Sequence, residues 1–116
     1  METLNTRINY LYRDADNYKM HNSCVVSGEI TEAQAIEIMS CLDSGEYFIP
    51  RQVGLPEKRF DRLDEETDHC WFELDADGFE VTGYPANVDV TAVELLERFR
   101  RAKNNWHDDV PLGGAV

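Results

Sequence analysis

The stretch Cys70-Trp71-Phe72-Glu73-Leu74-Asp75-Ala76-Asp77-Gly78-Phe79-Glu80-Val81 carries the strongest secondary-structure signal in the chain. Cys70, Phe72 and Leu74 alternate with Trp71 and Glu73, which is the period of a half-buried strand. The alternation resumes after Gly78 with Phe79 and Val81. Asp-Gly between two such runs predicts a hairpin, because Gly adopts positive φ without steric cost. Two registers fit. With Asp77-Gly78 as a two-residue turn, Asp75 faces Glu80. With Asp75–Gly78 as a four-residue loop, Glu73 faces Glu80. Either way Phe72, Leu74, Phe79 and Val81 share a face, and Glu80 is opposed by another carboxylate. Like charges directly opposed across strands cost a few tenths to ~1 kcal/mol. Such a cost on an exposed face points to something outside the protein that meets it.

The neighbouring segments build an α+β domain outward from this hairpin. Residues 7–13 alternate as a strand, with Ile8, Tyr10 and Tyr12 on one face and Asn9, Leu11 and Arg13 on the other. Asp14-Ala15-Asp16-Asn17 offers turn chemistry, and a second strand within residues 18–27 completes a first hairpin. Thr31 with Gln34 forms a capping-box pattern opening a helix over about 32–43, with Ala35, Ile38, Met39 and Leu42 on one stripe. Gly45 is placed to close that helix in the left-handed conformation. Thr91 with Glu94 opens a second helix over about 92–103, striped by Ala92, Leu95, Leu96, Phe99 and Ala102. The pairs Glu94→Arg98 and Glu97→Arg101 have the spacing that supports a helix.

Residues 46–67 show no sustained period. Glu46–Ile49 reads as a short strand stopped by Pro50, and a connection of this length is expected either to hold a short helix near 58–63 or to do functional work. The expected architecture is an antiparallel sheet of two hairpins with two capped helices packed on one face. Residues 1–103 form the domain, and 104–116 read as a loosely ordered tail. The order hairpin-then-helix occurs twice, with no residue-level repeat beneath it.

Composition narrows the function classes. In 116 residues there are 23 Asp plus Glu against 11 Lys plus Arg, a net charge of −12. That charge repels nucleic acid and anionic membranes. No apolar run approaches the ~20 residues of a membrane-spanning helix, and the N-terminus has no signal-like apolar core. A cytoplasmic domain is the expectation. Cys24, Cys41 and Cys70 are odd in number and unpaired in spacing, which suits reduced, buried thiols.

The acids are not spread evenly. From Asp61 to Glu80 nine carboxylates are opposed by Arg62 alone, so −8 of the −12 falls within 20 residues. Asp64, Glu65, Glu66, Asp68, Glu73, Asp75, Asp77 and Glu80 are therefore the candidate partner-binding residues, with Trp71 as an aromatic anchor. The bland alternative is a solvated face that limits aggregation. The sharper one is an acidic ridge that engages a basic protein surface. In its mimicry form the ridge approximates the one charge per ~1.7 Å of duplex DNA and occupies an Arg/Lys groove of a nucleic-acid-handling complex.

Catalytic and metal chemistry finds less support. Asp75-x-Asp77-Gly78 begins like a calcium loop, but the twelfth position is Ala86 where a bidentate Glu is needed. His69-Cys70 are adjacent on a strand, so they point to opposite faces and share a metal poorly. No phosphate-binding Gly loop occurs. No catalytic residue, metal or cofactor is assigned. An alternative class remains, a ligand-binding or enzymatic domain with a helix–sheet pocket lined by Tyr10, Tyr12, His21 and Cys24. A third is a self-associating module joining the basic cluster Arg98, Arg100, Arg101 and Lys103 to the acidic hairpin, and a monomer or homodimer is expected.

The runs Tyr12-Arg13-Asp14-Ala15-Asp16-Asn17-Tyr18, Gly45-Glu46-Tyr47-Phe48-Ile49-Pro50 and Asp68-His69-Cys70-Trp71-Phe72-Glu73-Leu74 resemble phrases of small uncharacterised acidic proteins of bacteria and their mobile elements. Phage inhibitors of restriction or CRISPR systems are similar in size and charge. The resemblance has no established activity to carry over, so no catalytic residue comes from it, and the likeness to such inhibitors is one of composition.

Overall fold

The computed structural model describes residues 4–13, 19–57 and 71–106 of the chain. Along the chain run β1 (Asn5–Arg13), β2 (Lys19–Val26), α1 (Glu32–Cys41), β3 (Tyr47–Phe48), α2 (Pro50–Val53), β4 (Phe72–Glu73), β5 (Phe79–Thr82) and α3 (Ala92–Ala102), with a 3-10 turn at Ala76–Gly78 between β4 and β5. All five strands form one antiparallel sheet, and α1 and α3 lie side by side against it. This is the expected α+β class.

β1 is the strand around which the sheet is assembled. Its alternation buries Ile8, Tyr10 and Tyr12 toward the helices and leaves Arg7, Asn9, Leu11 and Arg13 half-exposed on the outer face. β2 pairs with it from Arg13↔Lys19 to Thr6↔Val26, which is the first hairpin as read from the sequence. The turn expected at 14–17 lies outside the described residues.

The second hairpin takes a different form. β4 and β5 do not pair with each other; both pair with the free edge of β1, one after the other. Tyr12 opposes Phe72 and Ile8 opposes Phe79, so four steps along β1 match seven along its partner. The 3-10 turn absorbs the three extra residues. Gly78 explains why the Asp-Gly signal misleads. A two-residue hairpin turn needs positive φ at that glycine, whereas the described glycines with positive φ are Gly28, Gly45 and Gly54. Gly78 is required for room instead, since a β-carbon there would stand 2.5 Å from the Asn9 carbonyl oxygen. The apolar pattern does not separate the two topologies, because each puts Phe72 and Leu74 on the core side. β4 finds its other partner in β3, with Tyr47↔Glu73 and Phe48↔Phe72.

Both helices begin as their capping boxes predict. Thr31 Oγ1 accepts from Gln34 N–H while Gln34 Oε1 accepts from Thr31 N–H, and Thr91 and Glu94 repeat the exchange. α1 ends earlier than expected. Its C-cap is Leu42 in an extended conformation, and Gly45 (φ 72°) serves the tight turn that bonds Asp43 to Tyr47 instead. Pro50 does not simply stop a strand: it opens α2, as a proline at a first helical position can. The short helix expected near 58–63 lies outside the described residues.

The core is aromatic at its centre. Tyr10, Tyr12, Phe48, Phe72 and Phe99 are buried and meet mostly edge-on or tilted, as Tyr10 and Phe48 do at 5.5 Å and 74°. Burying each such side chain is worth roughly 1.5–3 kcal/mol. Trp106, beyond α3, packs on Phe48 and Phe99 and donates its indole N–H to the Cys41 carbonyl at 2.9 Å. Residues 107–116 lie outside the described set.

Candidate acidic binding site

The 3-10 insertion shapes the outer face of the sheet. Asp75 caps the turn and Asp77 lies within it, and a concavity of about 260 Å³ opens between them and β1. Asn9, Leu11 and His21 line its floor, because odd-numbered β1 residues and their β2 partners share the outer face. Glu73, Asp75, Asp77 and Gly78 form the wall. Hence three acidic residues line one hollow without standing directly opposite one another.

The environments of these acids differ. Glu73 is half-buried and held by Arg13, Nε to Oε2 at 2.9 Å. Asp75 and Asp77 are exposed, and neither carboxylate forms an ion pair or hydrogen bond among the described residues. Glu80 lies outside the hollow. Its cross-strand neighbour is Arg7, and it accepts a hydrogen bond from Asn9 Nδ2 at 3.3 Å. The expected carboxylate opposite Glu80 is therefore absent. Glu73 pairs with Leu11 and Glu80 with Arg7, four residues apart on β1, or about 13 Å along the strand.

Trp71 is half-buried and meets Trp106 at 6.5 Å with planes at 64°. It belongs to the aromatic packing around the end of α3, not to the lining of the acidic hollow. Asp64, Glu65, Glu66 and Asp68 lie outside the described residues.

The helix–sheet pocket suggested by Tyr10, Tyr12, His21 and Cys24 does not assemble. Tyr10, Tyr12 and Cys24 are buried in the core, while His21 pairs with Leu11 on the outer face. The Tyr10 hydroxyl donates to the Pro56 carbonyl oxygen, and burial pushes its ionisation well above the ordinary value, with Cys24 and Glu57 adding to the effect. Burial likewise pushes the Cys24 thiol up to about 11, so at neutral pH it is a protonated core side chain. Among the described residues no three His, Cys, Asp or Glu side chains are grouped so that they could hold a metal ion, and no helix there is long and apolar enough to cross a membrane.

The sequence missed Asn9 and His21 as part of the site. The signal was present in the alternation of β1, but only the pairing of Leu11 with both His21 and Glu73 brings them to the same hollow. Comparison with protein-family models, curated proteins and solved structures returns no match for this chain.

Proposed function

We propose that the chain is a non-enzymatic acidic protein-binding module whose docking element is the hollow walled by Glu73, Asp75 and Asp77. The observation that carries this reading is that Asp75 and Asp77 stand exposed at a concave site and that, among the described residues, neither carboxylate forms an ion pair or hydrogen bond. Concave walls lower the effective dielectric and concentrate the field of these carboxylates. An Arg or Lys side chain entering the hollow would gain charge-assisted hydrogen bonds from them, with Asn9 and His21 as polar contacts on the floor.

The partner class is a basic protein surface, of the kind that holds nucleic acid. The net charge of −12 steers association toward such a surface and away from polyanions. Inhibition of a nucleic-acid-handling complex by charge mimicry, in the manner of phage or mobile-element inhibitors, is the biological role we assign to it.

The test is displacement of labelled duplex DNA from a basic DNA-binding protein, run at low and high salt. Asp75→Asn/Asp77→Asn should weaken displacement at least tenfold more than the charge-matched Glu29→Gln/Glu32→Gln, whose side chains lie at the start of α1. Equal losses in the two doubles would show that only bulk charge matters and would remove the site.

A further inference from the structure

A second hollow lies in the helix layer, on the other side of the sheet from the acidic one. It has a volume of about 300 Å³ and is lined by Gln52, Arg98, Arg101, Ala102 and Asn105, where α2 meets the last turns of α3. In a chain of net charge −12, two guanidinium groups at one cavity are an unexpected concentration of positive charge.

Arg98 is held in place there. Its Nη1 donates to the Val53 carbonyl at 3.4 Å, and the guanidinium packs over Gly54, where a β-carbon would stand 2.1 Å from Nη1. Gly54 closes α2 with φ 87°, so both its backbone and its missing side chain suit this approach. Helix spacing offers Glu94 to Arg98, and the two charges attract at a distance, but the Glu94 carboxylate accepts its hydrogen bond from the Thr91 backbone N–H at 3.1 Å and makes no close ion pair with Arg98. Among the described residues Arg98 forms no ion pair with a carboxylate, and Arg101 has only Glu97 at 3.6 Å with both side chains exposed. An exposed pair of that kind is weak and yields readily to another anion.

The negative end of α3 would oppose an anion here if its carbonyls faced the hollow unpaired. Several of them are already engaged: Asn105 Nδ2 donates to the carbonyls of Arg101 and Lys103 at 3.3 and 3.2 Å, and Asn105 N–H donates to Ala102 at 2.7 Å. Gln52 Nε2 in turn donates to the Asn105 carbonyl at 3.3 Å, which ties α2 to the helix end. The arginine charge is thus left for an external ligand.

We propose that this hollow is a carboxylate-binding site in which the Arg98 fork supplies the main contact and Arg101 the second. A planar guanidinium matches a carboxylate with two parallel hydrogen bonds. The strongly negative protein repels a dianion more than a monoanion, which favours carboxylate over phosphate. A small organic acid and the free end of a peptide chain both present this carboxylate.

The experiment is a titration of the full chain followed through the arginine Nε–H signals in nuclear magnetic resonance, at ionic strength held constant with sodium chloride. Ligands are acetate, an acetylated tripeptide with a free C-terminus, and the same tripeptide as its amide. Saturable shifts at Arg98 and Arg101 are expected with acetate or with the free-acid peptide, and none with the amide. The tighter of the two binders identifies the source. Arg98→Lys keeps the charge but loses the fork, and should weaken binding about tenfold. Lys19→Gln, which removes an exposed cation at the start of β2 and away from the hollow, should leave it unchanged. Linear shifts equal to those from added chloride, or equal affinity in Arg98→Lys and wild type, would overturn the proposal.

Discussion

The Arg13 guanidinium grips the Glu73 carboxylate from the adjacent strand, with Nε to Oε2 at 2.9 Å and Nη2 to Oε1 at 3.4 Å. The contact is two-pronged, and the Glu73 hydrogen bond is the main reason that Arg13 holds its proton more tightly than an ordinary arginine. One wall of the acidic hollow therefore arrives already neutralised. Arg13→Gln should free Glu73 and tighten binding of a basic peptide, with a steeper dependence on salt. Glu73→Gln should weaken binding less than Asp75→Asn. Isothermal titration of the three variants against one arginine-rich peptide checks this, and the reverse ranking would contradict the assignment of Asp75 as the freer charge.

Gly78 holds the hollow in shape. A β-carbon there would lie 2.5 Å from the Asn9 carbonyl oxygen and 3.0 Å from Leu74 Cδ1, so the turn must move away from β1 to accept one. Gly78→Ala should cost about 1–3 kcal/mol in urea denaturation, because a backbone oxygen gives way poorly. Gly83 has open space where its β-carbon would go, and Gly83→Ala should stay within about 0.5 kcal/mol of wild type. Similar stabilities for the two variants would mean that the 3-10 turn does not press on β1.

How far this geometry could be read in advance varied with the range of the interaction. The capping boxes at Thr31 and Thr91 were fully legible, because every partner lies within three residues. The faces of β1 were legible too, since alternation is local. The fate of residues 72–82 was not. Hairpin and collinear strand share the same inward side chains, and the choice rests on whether β1 has an unpaired edge, which is a property of the whole sheet. That single topological step moved the neighbour of Glu80 from a carboxylate to Arg7. It also turned a ridge of opposed acids into a hollow with Asn9 and His21 at its floor.

The two capping boxes differ in one atom that titrates. Gln34 completes the first and Glu94 the second, and the Thr91 backbone and hydroxyl bonds hold the Glu94 carboxyl below its ordinary value of 4.5. A depressed acid stabilises the fold above its unfolded value, and that contribution is lost as pH falls through the folded value. Thr31→Ala and Thr91→Ala should each cost about 1 kcal/mol at pH 7. Between pH 7 and pH 3 the Thr31→Ala cost should stay constant while the Thr91→Ala cost shrinks. Urea denaturation at several pH values measures both, and parallel costs across the range would rule out a role for the Glu94 charge.

Alkaline pH should act on the core through Tyr10 and Cys24. Burial is the largest influence on each and raises both above their ordinary values of 10.0 and 9.0. For acids raised in this way the folded protein keeps protons that the unfolded chain releases. Their stabilisation is therefore complete below pH 9 and falls as pH climbs past the unfolded values. Tyr10→Phe removes the hydroxyl that donates to the Pro56 carbonyl and should cost about 1 kcal/mol at pH 7. At pH 10.5 the penalty should be smaller, because the variant no longer has a phenol that unfolding would ionise. Cys24→Ala should flatten the same alkaline slope without removing that bond. Absorbance at 295 nm gives an independent reading: wild type and Tyr10→Phe should ionise the same number of tyrosines while folded, and differ by one only after unfolding. A tyrosine that titrates in the folded protein and is lost in Tyr10→Phe would place the hydroxyl in water and contradict its burial.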